Sequence, residues 1–110
     1  ARTLVVIFLS NDAYTRCYDL DLLNEVRRDG RSGGLLAICA RDGDVPDDVA
    51  RIVVPEMQDA EDVDLLVPYV VAPQMFAFEQ SLGRGITPDH PNPSGTVNRV
   101  VQGVRIHPLT

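Results

Sequence analysis

Residues 3–9, Thr-Leu-Val-Val-Ile-Phe-Leu, form an unbroken apolar run rich in β-branched side chains, and this run constrains the fold more than any other feature. A strand with one wet face alternates polar and apolar residues, whereas a run without alternation suits a parallel strand covered on both faces. A central strand of a parallel sheet is therefore predicted. Ser10-Asn11-Asp12 then supplies turn and N-cap chemistry, and Cys17, Leu20, Leu23 and Val26 recur every three residues before Asp29-Gly30. That spacing predicts an amphipathic helix ended by glycine.

Residues 35–40, Leu-Leu-Ala-Ile-Cys-Ala, repeat the buried-strand pattern, and residues 51–55, Arg-Ile-Val-Val-Pro, predict a short third strand ended by proline. Pro46-Asp-Asp-Val-Ala50 between them leaves room for at most one helical turn. Residues 61–82 are apolar around most of a helical circumference, as expected of a helix deeply buried or packed on another subunit. Pro68 and Pro73 are expected to begin or bend it, and Gly83-Arg-Gly85 to end it. A polar, proline-rich loop over 87–95 and an extended tail over 97–109 follow. Strand, helix, strand, strand, long helix is half of a doubly wound α/β sheet. With the first strand opening at residue 3, residues 1–110 are expected to be a single, incomplete domain that lacks its first strands.

The chain has 110 residues and a formal charge of -6. An acidic chain lacks the clustered positive face that displaces counterions from a nucleic acid, so nucleic acid is excluded as an expected partner. All ten basic residues are arginines. Without lysine there is no Schiff-base nucleophile, P-loop phosphate ligand or titratable amine base, and a receiver domain is excluded too. Cys17 and Cys39 sit in an amphipathic segment and an apolar run, where reduced thiols act as small hydrophobes. No signal-peptide pattern is expected at the N-terminus. The longest apolar run, 63–78, is broken by Asp64, Pro68, Pro73 and Gln74 and falls short of the roughly 20 residues a bilayer needs. A cytoplasmic protein without a membrane partner is expected.

Ligands of open parallel sheets collect at the carboxyl ends of strands, which points to residues 10–12, 40–44 and 55–58. Ser10 and Asn11 offer hydrogen bonds to a sugar hydroxyl or phosphate oxygen, or cap the helix that follows. Arg16 presents a planar fork suited to a ligand's carboxylate or phosphate, or pairs with Asp12 or Asp19 at the surface. Asp42, Asp44, Asp47 and Asp48 read as a solvated acidic turn and not a calcium loop, because Val53 stands where the closing glutamate belongs. His90 and His107 lack partners at metal-ligand spacing, so no metal is expected. Glu79 reads as a solvent-facing charge on the long helix. Ser94-Gly-Thr-Val-Asn-Arg99 is a second glycine-containing polar loop, open to a ligand or an interface.

Tyr14-Thr-Arg-Cys-Tyr-Asp-Leu-Asp-Leu-Leu23, the long helix, and the segment 85–103 with its Thr-Pro-Asp-His-Pro-Asn-Pro-Ser-Gly-Thr-Val-Asn-Arg core resemble the sugar isomerase (SIS) family. The resemblance covers nearly the whole chain and is strongest to its tagatose-6-phosphate ketose/aldose isomerase branch, which includes galactosamine-6-phosphate deaminases. It implies a three-layer, flavodoxin-like α/β/α parallel sheet, two such domains in a parent chain, and a match to the later part of the second. The hydroxyl-rich phosphate loop, the glutamate and the His-Gly-Pro turn of the family have no counterpart here, so no catalytic residue is carried over. Ser10 corresponds, by domain pseudo-symmetry, to a sugar-contacting strand end, and Asn98 and Arg99 to a tail that folds over the sugar. The resemblance further implies a phosphorylated sugar as ligand, no cofactor, and either a homo-oligomer or docking to the missing N-terminal part. Two activities are compatible with it: a hexose or hexosamine 6-phosphate isomerase or deaminase, inactive in this portion alone, and a non-catalytic phosphosugar-binding regulatory module. A plain interaction protein keeping the same fold is a third reading, carried by the apolar long helix.

Overall fold

The computed structural model describes residues 3–87 and residue 94, and the chain divides into two compact units, Ala1–Ala72 and Pro73–Thr110. The elements in order are β1 (Leu4–Phe8), α1 (Ala13–Asp29), β2 (Gly34–Cys39), β3 (Ala50–Val53) and α2 (Asp62–Leu82). All three strands are parallel, in the order β1-β2-β3, with Val6 opposite Leu36 and Ile38 opposite Ile52.

The predicted alternation-free strands behave as expected at β2. Ala37 and Cys39 face the core shared with Ile7, Leu9 and Leu23, while Ile38 and Ala40 face the core shared with Leu65 and Tyr69. Both faces are apolar because α1 covers one and the first half of α2 covers the other. Burying a side chain such as Leu23 or Leu65, each almost fully covered, contributes about 1.5–3 kcal/mol.

β1 differs from its expectation. Among the described residues it pairs only with β2, so it is an edge strand and β2 is the central one. Leu4 and Phe8 are correspondingly exposed. A fully apolar strand at an edge carries unpaired backbone groups along a row of β-branched side chains.

α1 starts and stops where its sequence signals lie. Asp12 is the N-cap, accepting from Thr15 N–H at 2.9 Å, and Gly30 closes the other end in the left-handed region at φ 63. The connection from β2 to β3 uses only residues 40–49, short for a parallel crossover, which usually takes a dozen residues or more. Two turns achieve it, closed by Val45 N–H on Asp42 O and Val49 N–H on Pro46 O, both at 3.0 Å. Val45 and Val49 enter the α1-side core, so the loop covers sheet surface that a helix would otherwise cover.

Pro68 and Pro73 do not begin α2, which opens at Asp62 and is continuous through both. Each proline removes a helical N–H, from the carbonyls of Asp64 and Tyr69, at a cost that burial of Leu65 and Tyr69 on the sheet offsets. In the second unit the helix closes as predicted at Gly83-Arg-Gly85. Ile86 N–H reaches Ser81 O and Gly85 N–H reaches Leu82 O, both at 2.9 Å, with Gly85 at φ 71 as a Schellman-type stop.

Candidate functional site

The carboxyl end of β1 is the most heavily tied segment of the first unit. Ser10 N–H donates to Asp19 Oδ2 at 2.8 Å, and its carbonyl accepts from Arg16 at 2.9 Å. The Ser10 hydroxyl donates to Asp62 Oδ2 and accepts from Asp12 N–H at 2.9 Å. Asn11 N–H donates to the other Asp62 oxygen at 2.7 Å, while its amide nitrogen donates to Met57 O and Ala60 O, both at 2.9 Å. Arg41 donates to the Asn11 carbonyl. The end of β1, the loop after β3 and the first turn of α2 are thereby joined. The Asn11 amide oxygen is buried with no hydrogen-bond partner among the described residues.

Ser10 lines a cavity of about 410 Å³. Thr15, Asp19 and Asp62 are its other polar lining residues, and Leu66 and Val70 of α2 are among its apolar ones, together with Phe8 and Tyr69 of the tilted ring pair, 5.9 Å between centroids. Tyr69 also donates its hydroxyl to Leu9 O at 2.8 Å, satisfying a fully buried carbonyl. Donation from Ser10, and secondarily from Asn11 N–H, holds the Asp62 carboxyl below the usual carboxylate range, so it is ionised at neutral pH.

Arg16 is placed differently from either expectation. It is buried, 6% exposed, and pairs with neither Asp12 nor Asp19. Its Nε and one terminal nitrogen clasp Asp44 at 2.7 and 2.5 Å, and two further N–H groups reach Ser10 O and, at 2.6 Å, Arg41 O. The fork is spent inside the fold, so it is not a free ligand clamp. The acidic turn is likewise paired: Arg27 meets Asp48 at 2.8 Å, and Arg51 binds the carbonyls of Val45 and Pro46 beside Asp42 and Asp47. Among the described residues no group of three or more His, Cys, Asp or Glu side chains is placed to hold a metal.

Cys17 is exposed, Cys39 is buried, and both are free thiols. Glu79 lies exposed on the second-unit part of α2. Glu56, in the turn after β3, has φ 62, a left-handed conformation that costs a non-glycine residue about 1–2 kcal/mol. Asn98, Arg99, His90 and His107 lie outside the described residues. The sequence offers Asp19 only as a partner for Arg16, and it does not mark Asp62 or Tyr69. An aspartate opening a helix looks like an ordinary first-turn acid, and nothing local links Asp62 to Ser10, 52 positions earlier.

No helix among the described residues is long and apolar enough to cross a membrane. No family model matches the chain. It is 49% identical over 106 residues to a D-galactosamine-6-phosphate deaminase AgaS from Escherichia coli, covering 96% of this chain and 28% of that protein. A D-galactosamine-6-phosphate deaminase AgaS from Shewanella sp. is 32% identical over 109 residues, covering 99% of this chain and 25% of the relative. The crystal structure of tagatose-6-phosphate ketose/aldose isomerase from Escherichia coli superimposes with a TM-score of 0.75 at 39% identity, over 98% of this chain and 26% of that one. The chain thus spans about a quarter of the length of the proteins it matches. The chain is thus similar, in sequence and in its parallel α/β sheet, to one stretch of the AgaS deaminases and of tagatose-6-phosphate ketose/aldose isomerase.

Proposed function

We propose that this chain is the C-terminal portion of a phosphosugar aldose-ketose isomerase or deaminase acting on a hexose or hexosamine 6-phosphate, D-galactosamine 6-phosphate or tagatose 6-phosphate being the substrates the relatives' names suggest. Ser10 contacts the sugar, and Asn98 and Arg99 close over it from the tail. The observation that carries this reading is the rigidly held strand end: Ser10 sits where open parallel sheets gather ligands, on the rim of a cavity of about 410 Å³, with its backbone fixed on both sides. A guanidinium stays protonated in proteins, so Arg99 acts as a charge clamp and not as a base. The groups that move protons between the carbon atoms belong to other parts of the enzyme, and no metal or organic cofactor is required.

Two surface features support docking onto a further part of the protein or onto a second subunit. The β1 edge is open among the described residues, and α2 exposes Val63, Val67 and Val71. The enzyme acts in the cytoplasm as an oligomer on this account. The test compares an intact parent polypeptide with residues 1–110 alone, measuring ammonia release from D-galactosamine 6-phosphate and isomerisation of tagatose 6-phosphate. Turnover of one of them by the parent and none by the segment is expected. Turnover by the segment itself would overturn the division of labour, and phosphosugar binding by the parent without turnover would identify a regulatory module instead.

A further inference from the structure

A serine beside a ligand is ambiguous by itself. Its hydroxyl gives one proton and offers two lone pairs, so it serves a phosphate oxygen as donor or a sugar hydroxyl or ammonium as acceptor. At Ser10 the neighbours remove the ambiguity. The hydroxyl proton goes to Asp62 Oδ2, and the opposite oxygen of that carboxylate is anchored by Asn11 N–H at 2.7 Å, so Asp62 cannot turn away without losing both bonds. The alternative acceptor, Asp12 O, lies 3.5 Å off, at the limit of hydrogen bonding, and a carboxylate outcompetes a neutral carbonyl there. One Ser10 lone pair already receives Asp12 N–H at 2.9 Å. A single lone pair is left for a ligand.

The cavity wall independently points the same way. Among the described residues its charged lining residues are Asp19 and Asp62, and none is an arginine. A phosphate dianion placed against this wall would face two carboxylates and, among the described residues, no cation.

We infer that Asp62 is a positioning residue that presents Ser10 to ligands as an acceptor only, so this strand end recognises a hydroxyl or ammonium of the sugar while the phosphate is held elsewhere. The inference rests on the proposed role of Ser10 as a sugar contact and adds the polarity of that contact. An ammonium gains more than a hydroxyl from the same geometry, because its bonds are charge-assisted and Asp62 is adjacent.

The test measures, in the intact parent polypeptide, the Kd of a hexosamine 6-phosphate, a hexose 6-phosphate and inorganic phosphate for the native protein and for S10A, S10T and D62N. S10A is expected to weaken both sugar phosphates about tenfold, the size of one lost hydrogen bond, and to leave inorganic phosphate unchanged. S10T keeps the hydroxyl and restores the affinity. In D62N the introduced amide keeps Asn11 N–H on its oxygen and turns its nitrogen to Ser10, freeing the serine proton. That variant should bind both sugar phosphates more weakly and inorganic phosphate more tightly. Loss of inorganic phosphate affinity in S10A would overturn the inference and leave Ser10 a phosphosugar contact. Unchanged affinity for all three ligands in S10A would overturn the contact itself. If S10A does not fold, D62N decides alone, and unchanged affinities there contradict the assigned role of Asp62.

Discussion

The guanidinium of Arg16 clasps the Asp44 carboxylate through two nitrogens, at 2.7 and 2.5 Å, although the two residues lie 28 positions apart. Arg16 is buried while Asp44 is half exposed, and the same guanidinium bonds the carbonyls of Ser10 and Arg41. A single side chain therefore fixes the ends of β1 and β2 against the turn after β2. Removing it takes the donor from the Ser10 and Arg41 carbonyls and leaves Asp44 to solvent, and replacing it by methionine should cost about 1–3 kcal/mol in urea unfolding. R16K retains the charge without the planar fork and should recover only part of that stability. A loss below about 0.5 kcal/mol for R16M, the range of ordinary surface changes, would show that the clasp is not structural.

Asp44 and Asp62 contribute to the acid limb of stability, beside Asp12 and Asp48, which are lowered too. Arg16 holds Asp44, and Ser10 holds Asp62, below the ordinary carboxylate range. A depressed folded-state pKa means that the unfolded chain binds more protons at moderately acid pH. Both contributions are therefore complete above the unfolded carboxyl value near 4 and disappear as the pH falls through the lower folded values. Denaturation midpoints followed from pH 7 to pH 2 should fall steeply below about pH 4. D44N and D62N should each flatten that fall; an unchanged slope in both would remove these groups as its cause.

Tyr69 lies on the buried side of α2 and its hydroxyl satisfies the Leu9 carbonyl at 2.8 Å. Y69F keeps the ring packing on Phe8 and removes only the donor. The stranded carbonyl should cost about 1–3 kcal/mol, read as a lowered thermal midpoint with unchanged near-neutral solubility of the fold.

Cys17 and Cys39 should differ sharply toward a thiol reagent. Cys17 is exposed on α1, whereas burial covers Cys39 and pushes its thiol above the ordinary range. One thiol should titrate in the native protein and two in denaturant. Rapid native reaction of both would contradict the buried placement of β2.

Much of the fold was legible because its signals are local. Apolar runs marked β1, β2 and β3, and Asp12, Gly30 and Gly85 marked helix ends. What was not legible is non-local. The run at 3–9 looked like a central strand, yet strand neighbours depend on chain that need not be adjacent, and β1 is an edge among the described residues. Pro68 and Pro73 are expected from the sequence to begin or bend α2, but the helix opens earlier, at Asp62, and packing of Leu65 and Tyr69 outweighs the missing donors. At the site, Ser10 and Asn11 stood out by lying after a strand. Arg16 could be recognised as a fork without showing that its acceptor was Asp44, and Asp62 reaches Ser10 only because α2 folds back over the sheet.

The central claim is that the end of β1 contacts a phosphorylated sugar. Amide chemical shifts of the ¹⁵N-labelled parent polypeptide, recorded while a hexosamine 6-phosphate is added, test it directly. Saturable shifts are expected at Ser10, Asn11 and Asp12 together with the first turn of α2 around Asp62. Saturation of the ligand with these resonances unmoved would contradict it.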